Sequence, residues 1–168
     1  MSVMKLRKPK DVEYENIPIQ CLMDIEASSL SDESYPIEIA WYRPNHEDNY
    51  SFLIKPAETW TDWDPLSEEL YHEIPRETLI REGITPYEAA TRLNKSLKGM
   101  HVVADGYEWD SFWIQKLFNE AGVKFEFYFL PFYDAEHLPE FYRPHRALPD
   151  VMATYAAYTE WKKNGRRK

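Results

Sequence analysis

Residues 19–29 read IQCLMDIEASS, and the fold turns on how that stretch is taken. In an extended chain, Cys21, Met23 and Ile25 fall on one face and Leu22, Asp24 and Glu26 on the other. Both faces begin apolar, which marks an interior strand over 17–26 whose two carboxylates emerge together at its C-terminal end. An acid-x-acid pair is weak by itself. With 29 acids among 168 residues, chance alone supplies about 5 such pairs. Carboxylates that end so apolar a strand must be compensated for lost hydration, however, and this sets them apart from surface acids.

Working outward, Ile37, Ile39 and Trp41 alternate, as do Tyr50, Phe52 and Ile54, and RPNHEDN at 43–49 is dense in turn formers. These segments predict an antiparallel hairpin. Residues 56–85 are punctuated by proline and glycine and predict a loop-rich connection with short helices. From Pro86, the stripe Tyr87, Ala90, Leu93, Leu97 predicts a helix, with Thr85 as N-cap and Gly99 as stop. A short strand over 101–104 follows. Trp109, Phe112, Trp113, Leu117 and Ala121 mark a second amphipathic helix, opened by Asp105 as candidate N-cap and closed by Gly122. Residues 125–130 predict a further strand. The last helix is expected over 147–161, with Val151, Tyr155 and Tyr158 inward; Pro149 is tolerated only in a first turn, so this helix cannot begin much before Ala147. A hairpin and helical crossovers in one sheet predict an α/β fold with a mixed central β-sheet flanked by helices. One domain over 17–162 is expected, preceded by a basic and polar lead-in (1–16) and followed by a basic tail (163–168).

The chain carries 20 Lys+Arg against 29 Asp+Glu, a net charge of −9. Four of the cations lie in 1–10 and five in 162–168, so the body, 11–161, holds 11 positive against 29 negative charges, or −18. Such a body argues against gripping nucleic acid mainly by charge and suits a site that gathers carboxylates around divalent ions. No apolar run approaches a membrane span and no signal-type segment follows the basic start, so a soluble, cytoplasmic protein without a membrane partner is expected. Cys21 is the only cysteine; it excludes an internal disulfide and a cysteine-based zinc site and reads as a buried thiol. The glycines at 83, 99, 106, 122 and 165 build no GxGxxG, phosphate loop or GxSxG elbow. Neither His46-Glu47 nor His72-Glu73 completes HExxH, because Tyr50 and Arg76 stand at the partner positions.

What remains is a set of acids and one histidine. Asp110 follows Trp109 at the start of a helix, where an acid also serves simply to complement the helix dipole. His145 and Asp150 straddle the start of the last helix. Each feature is weak alone. In chain order they read CLMDIEASSL, EWDSFWIQKLF and HRALPDVMATY, and that order resembles the DEDDh group of 3'-5' exonucleases, which includes RNase T, oligoribonuclease and the proofreading subunits of bacterial DNA polymerases. The likeness runs over about 19–161, and histidine rather than tyrosine before the last acid selects the DEDDh subgroup. Two departures stand out: Asp105-Gly106 replaces the His-Asn that often precedes the second motif, and Ala27-Ser28-Ser29 replaces a threonine-glycine turn.

The resemblance implies a ribonuclease H-like three-layer fold. It implies that Asp24, Glu26, Asp110 and Asp150 hold two divalent ions, Mg²⁺ or Mn²⁺, about 3.5–4 Å apart, and that His145 takes a proton from the attacking water. It implies nucleoside 5'-monophosphates released from a single-stranded 3' end. The turn Ala27, Ser28, Leu30 would touch the terminal nucleotide, and Tyr107 and Trp109, with Trp60 and Trp63, lie where rings could stack on bases, although core packing outweighs stacking for any one ring taken singly. Homodimers are common among small members of that group. RNA or DNA as substrate is left open, as are two rivals: a catalytically inactive ribonuclease H-like module that binds nucleic acid or protein, and a metal-dependent phosphatase.

Overall fold

A computed structural model describes residues 19–46 and 48–165. The lead-in 1–16, the expected start of the first strand at 17 and 18, and the tail residues Arg166, Arg167 and Lys168 lie outside the described residues. A five-stranded sheet has the spatial order β3-β2-β1-β4-β5, formed by β1 (Cys21–Ala27), β2 (Pro36–Arg43), β3 (Asp48–Leu53), β4 (His101–Ala104) and β5 (Tyr128–Pro131). The first three pair antiparallel, while β4 and β5 run parallel to β1. The mixed sheet expected from the sequence is therefore present. Its central strand, β1, carries Asp24 and Glu26.

The hairpin closes through a 3-10 turn at Pro44–His46, held by an ion pair between Arg43 and Asp48. Between β3 and the next long helix lie a short helix α1 (Pro65–Ser67), a π-helical turn (Glu68–His72) and α2 (Arg76–Glu82). Helices α3 (Pro86–Leu97) and α4 (Tyr107–Ala121) cover one sheet face, burying Leu93, Leu97, Ile114 and Leu117 against Cys21, Met23 and Ile25. Helix α5 (Ala147–Gly165) covers the other, packing Ala147 and Val151 against Leu22 and Ala40. Alternation along β1 thus feeds both layers. Burial raises the Cys21 thiol well above its ordinary pKa, which keeps it an inert core group.

Several local expectations need correction. Tyr87 is 63% exposed, and Ala89 rather than Tyr87 joins Ala90, Leu93 and Leu97 on the buried face of α3. Asp105 does not cap α4. Gly106 occupies that position without a side-chain bond, and Asp105 pairs instead with Arg143. The strand expected over 125–130 begins only at Tyr128, because Phe125 and Phe127 turn onto Phe118, the former ring at 4.1 Å. Helix α5 continues past Trp161 to Gly165. Thr85 does cap α3, accepting from the Glu88 amide at 3.2 Å.

Gly83 joins α2 to the short parallel bridge between Ile54 and Ile84. A Cβ there would lie 2.4 Å from both the Leu79 carbonyl oxygen and the Lys55 nitrogen. Both are backbone atoms and cannot step aside. Gly83→Ala is expected to destabilise by at least about 1–3 kcal/mol, read as a lower urea midpoint at unchanged slope.

Candidate active site

Parallel pairing brings the C-terminal ends of β1 and β4 to the same edge of the sheet, and α4 and the connection to α5 both start there. Asp24 and Glu26 point to the face that α5 covers, and the pairing register shifts immediately after Glu26. A break of that kind lets the strand bend away and aims its last side chains. Asp150 lies in the first turns of α5, with Pro149 where a proline costs no hydrogen bond. One carboxylate oxygen from each of Asp24, Glu26 and Asp150 lies within 4.8 Å of the others. Asp110, in the first turn of α4, is buried beside Gly106 and completes the acidic cluster outside that tightest trio.

This arrangement is electrostatically expensive. Asp24 and Asp110 are both raised well above the ordinary carboxylate range, first by burial and then by neighbouring acids, Asp150 at Asp24 and Asp24 at Asp110. Burial, then the Asp24 charge, pushes Glu26 up to about 10, and the two carboxyls share a hydrogen bond. Asp150 is raised by burial against the opposing charges of Arg143 and His145. Asp24 Oδ2, Asp110 Oδ2 and Asp150 Oδ1 are buried without a hydrogen-bond partner. Crowded oxygen donors with unsatisfied lone pairs fit hard divalent cations, and these four residues would hold them.

His145 is exposed, adopts φ 56°, and meets the Tyr71 ring edge-on at 5.1 Å between centroids. Left-handed backbone at a non-glycine residue costs about 1–2 kcal/mol and persists only where neighbours dictate it. Glu38 supplies that constraint. Buried on β2 directly opposite Glu26, it accepts from Arg146 at 3.1 and 2.7 Å and from the Ala147 amide at 2.8 Å. The backbone next to His145 and an otherwise unmade bond at the start of α5 are thereby held together. The π-helical turn presents Tyr71, and buried His72 accepts there from the Ile74 amide at 3.0 Å; burial lowers its pKa to about 4. Glu38 escaped the sequence reading, although a lone acid inside the apolar run PIEIAW was the available signal. Arg143 had none.

The remaining anticipated contacts divide. Leu30 is 66% exposed at the tip of the turn after β1, and Ala27 is buried at the strand end. Ser28 is fully buried: its hydroxyl donates to Asp62 at 3.1 Å and accepts from the Tyr35 amide at 3.2 Å. The Ser28 hydroxyl is thus committed within the fold. Ser29 and Ser31 also donate to Asp62, so the serine-rich turn is strapped to the loop beyond β3. Tyr107 stacks on Phe129 and packs against the core, and Trp60 is buried on Tyr35. Trp63 donates to Glu68. Trp109 stacks on Trp113 and keeps one partly exposed face.

No family model and no curated protein matches the sequence. Solved structures do. An E. coli exonuclease I–single-stranded DNA complex in a zinc-bound form superposes with a TM-score of 0.70 at 16% identity, covering 88% of this chain and 41% of that one. E. coli exonuclease I with a dT13 oligonucleotide gives 0.69 at 15% identity over 88% and 41%. A further exonuclease I structure gives 0.67 at 15% over 86% and 40%. The chain thus spans about two fifths of the length of these neighbours. What it shares with them is the ribonuclease H-like fold.

The raised carboxyls make a testable contribution to stability. An acid whose pKa is higher folded than unfolded, where it lies near ~4, stabilises the fold below that pH and loses this effect as pH rises. The cost of the empty cluster therefore grows from about pH 4 upward, through about 10 for Glu26. In EDTA, Asp24→Asn should melt higher than wild type at pH 8, by roughly 3–6 °C, with a smaller gain at pH 5. Added Mn²⁺ should reverse the order by raising wild type alone. Identical melting of both proteins under all four conditions would contradict the electrostatic account.

Proposed function

We propose that the chain is a divalent-metal-dependent 3'-5' exonuclease that shortens single-stranded nucleic acid from its 3' end and releases nucleoside 5'-monophosphates. One observation carries the reading: acids from three separated segments, Asp24 and Glu26, Asp110, and Asp150, converge with unpartnered oxygens beside an exposed histidine. The shared fold adds support, since the exonuclease I neighbours include complexes with single-stranded oligonucleotides.

Two bound Mg²⁺ or Mn²⁺ ions would supply water activation and neutralise charge on the scissile phosphate. The chain's own residues do the rest. His145 stands in the loop beside Asp150 with its ring against Tyr71, where its imidazole can accept the proton of the attacking water. Glu38, by gripping Arg146 and the Ala147 amide, keeps His145 and Asp150 in mutual register. Leu30, projecting from the strapped serine turn, offers an apolar surface to the terminal base, and Trp109 offers a ring face.

Incubation of 5'-labelled single strands of RNA and DNA with Mg²⁺, Mn²⁺ or EDTA tests the proposal. A metal-dependent ladder that shortens from the 3' end is expected, with sugar preference read from the two substrates. Asp24→Asn should abolish the ladder while the protein stays folded, and His145→Asn should slow it about 10²–10⁴-fold. Undiminished cleavage by Asp24→Asn would sink the assignment.

A further inference from the structure

Arg143 lies in the loop before α5, two residues ahead of His145, and touches the acidic cluster from its rim. One end of its guanidinium pairs with Asp105. The other, Nη1, stands 3.8 Å from Asp150 Oδ1, one of the carboxylate oxygens left without a hydrogen bond. The guanidinium also lies over the Phe141 ring, 4.6 Å from its centroid, and the side chain is 40% exposed. Arg146, the neighbouring cation, is committed to Glu38 through two nitrogens. Arg143 is held at one end, rests on a ring, and is only loosely engaged at the other.

A divalent cation and a guanidinium compete for the same face of Asp150 and repel one another. When the cluster is loaded, Nη1 must therefore give up Asp150, while Asp105 and Phe141 still hold the side chain at the rim. A planar fork with freed N–H groups beside a metal centre is suited to two oxygens of a phosphodiester. The need is acute here, because a body carrying −18 repels a polyanion. Asp105 stands where the resembling group often has a histidine, and in this chain it anchors the arginine. We infer that Arg143, tethered by Asp105, is a phosphate-binding residue of the substrate site whose partner in the metal-free protein is Asp150. The inference rests on the proposed exonuclease reading and adds a substrate contact to it. It is consistent with the way the Arg143 charge offsets part of the upward shift of both Asp24 and Asp150.

Two titrations test it on the full chain: Mn²⁺ alone by calorimetry, and 5'-fluorescein-labelled dT4 by anisotropy with Ca²⁺ replacing Mg²⁺ to suppress cleavage. Arg143→Gln should bind Mn²⁺ about 3- to 10-fold more tightly, because a competing cation is gone, and dT4 about 10-fold more weakly. Arg143→Lys keeps the charge without the fork, so it should bind Mn²⁺ as wild type does and still lose about 3-fold or more in dT4 affinity. Unchanged dT4 binding in either variant, or weaker Mn²⁺ binding by Arg143→Gln, overturns the role. If Arg143→Gln does not fold by circular dichroism, Arg143→Lys decides alone. Wild type that binds neither probe would instead overturn the exonuclease reading itself, a result distinct from failure of Arg143.

Discussion

Mutual repulsion among carboxylates that have been taken out of water is the constraint around which this domain is organised. Asp24, Glu26, Asp110 and Asp150 are all raised in pKa, with burial the leading cause in each case and neighbouring acids adding to it at Asp24, Glu26 and Asp110. A fold gains nothing from such a cluster in isolation, because each desolvated acid weakens the folded state at neutral pH. Cations that bind the cluster would turn this cost into affinity, since whatever binds only the native state stabilises it. The surrounding residues make sense in that light: Arg143 offsets part of the charge from the rim, and Arg146 pairs with Glu38, whose own charge adds to the repulsion at Asp24 and Glu26.

The sheet makes the convergence possible. Antiparallel pairing of β1 with β2 sets Glu38 opposite Glu26, and parallel pairing of β1 with β4 brings the start of α4 to the same edge. Helix α5 then crosses the face on which Leu22 meets Val151, which delivers Asp150 and the loop holding His145. The turn after β1 is fastened independently by three serine hydroxyls on Asp62. Acids from three segments are thus carried on elements whose cores fix them. The histidine and the arginine sit on the connection before α5, held from outside the helix by Glu38 through Arg146 and the Ala147 amide and by Asp105 through Arg143.

Much of this was legible in the sequence. Alternation in IQCLMDIE identified β1 and both of its packing faces, Pro149 located the start of α5, and Thr85 capped α3 as its residue type predicts. Errors arose where one local signal had two physical outcomes. Tyr87 fits a helical stripe but faces solvent, and Asp105 has the chemistry of an N-cap but finds an arginine 38 residues on. Glu38 and Arg143 depend on contacts across 108 and 38 residues respectively, beyond the reach of any local pattern. The grouping of the acids was suggested by motif order; their missing hydrogen-bond partners became visible only in three dimensions.

The central claim is that the carboxylate cluster is a cation site and not a defect of the fold. Crystals grown with Mn²⁺, measured at a wavelength where manganese scatters anomalously, test it most directly. The account predicts two anomalous peaks bounded by Asp24, Glu26, Asp110 and Asp150, with Arg143 withdrawn from Asp150. An absence of peaks at this cluster in millimolar Mn²⁺, or manganese bound only elsewhere on the acidic surface, would contradict it.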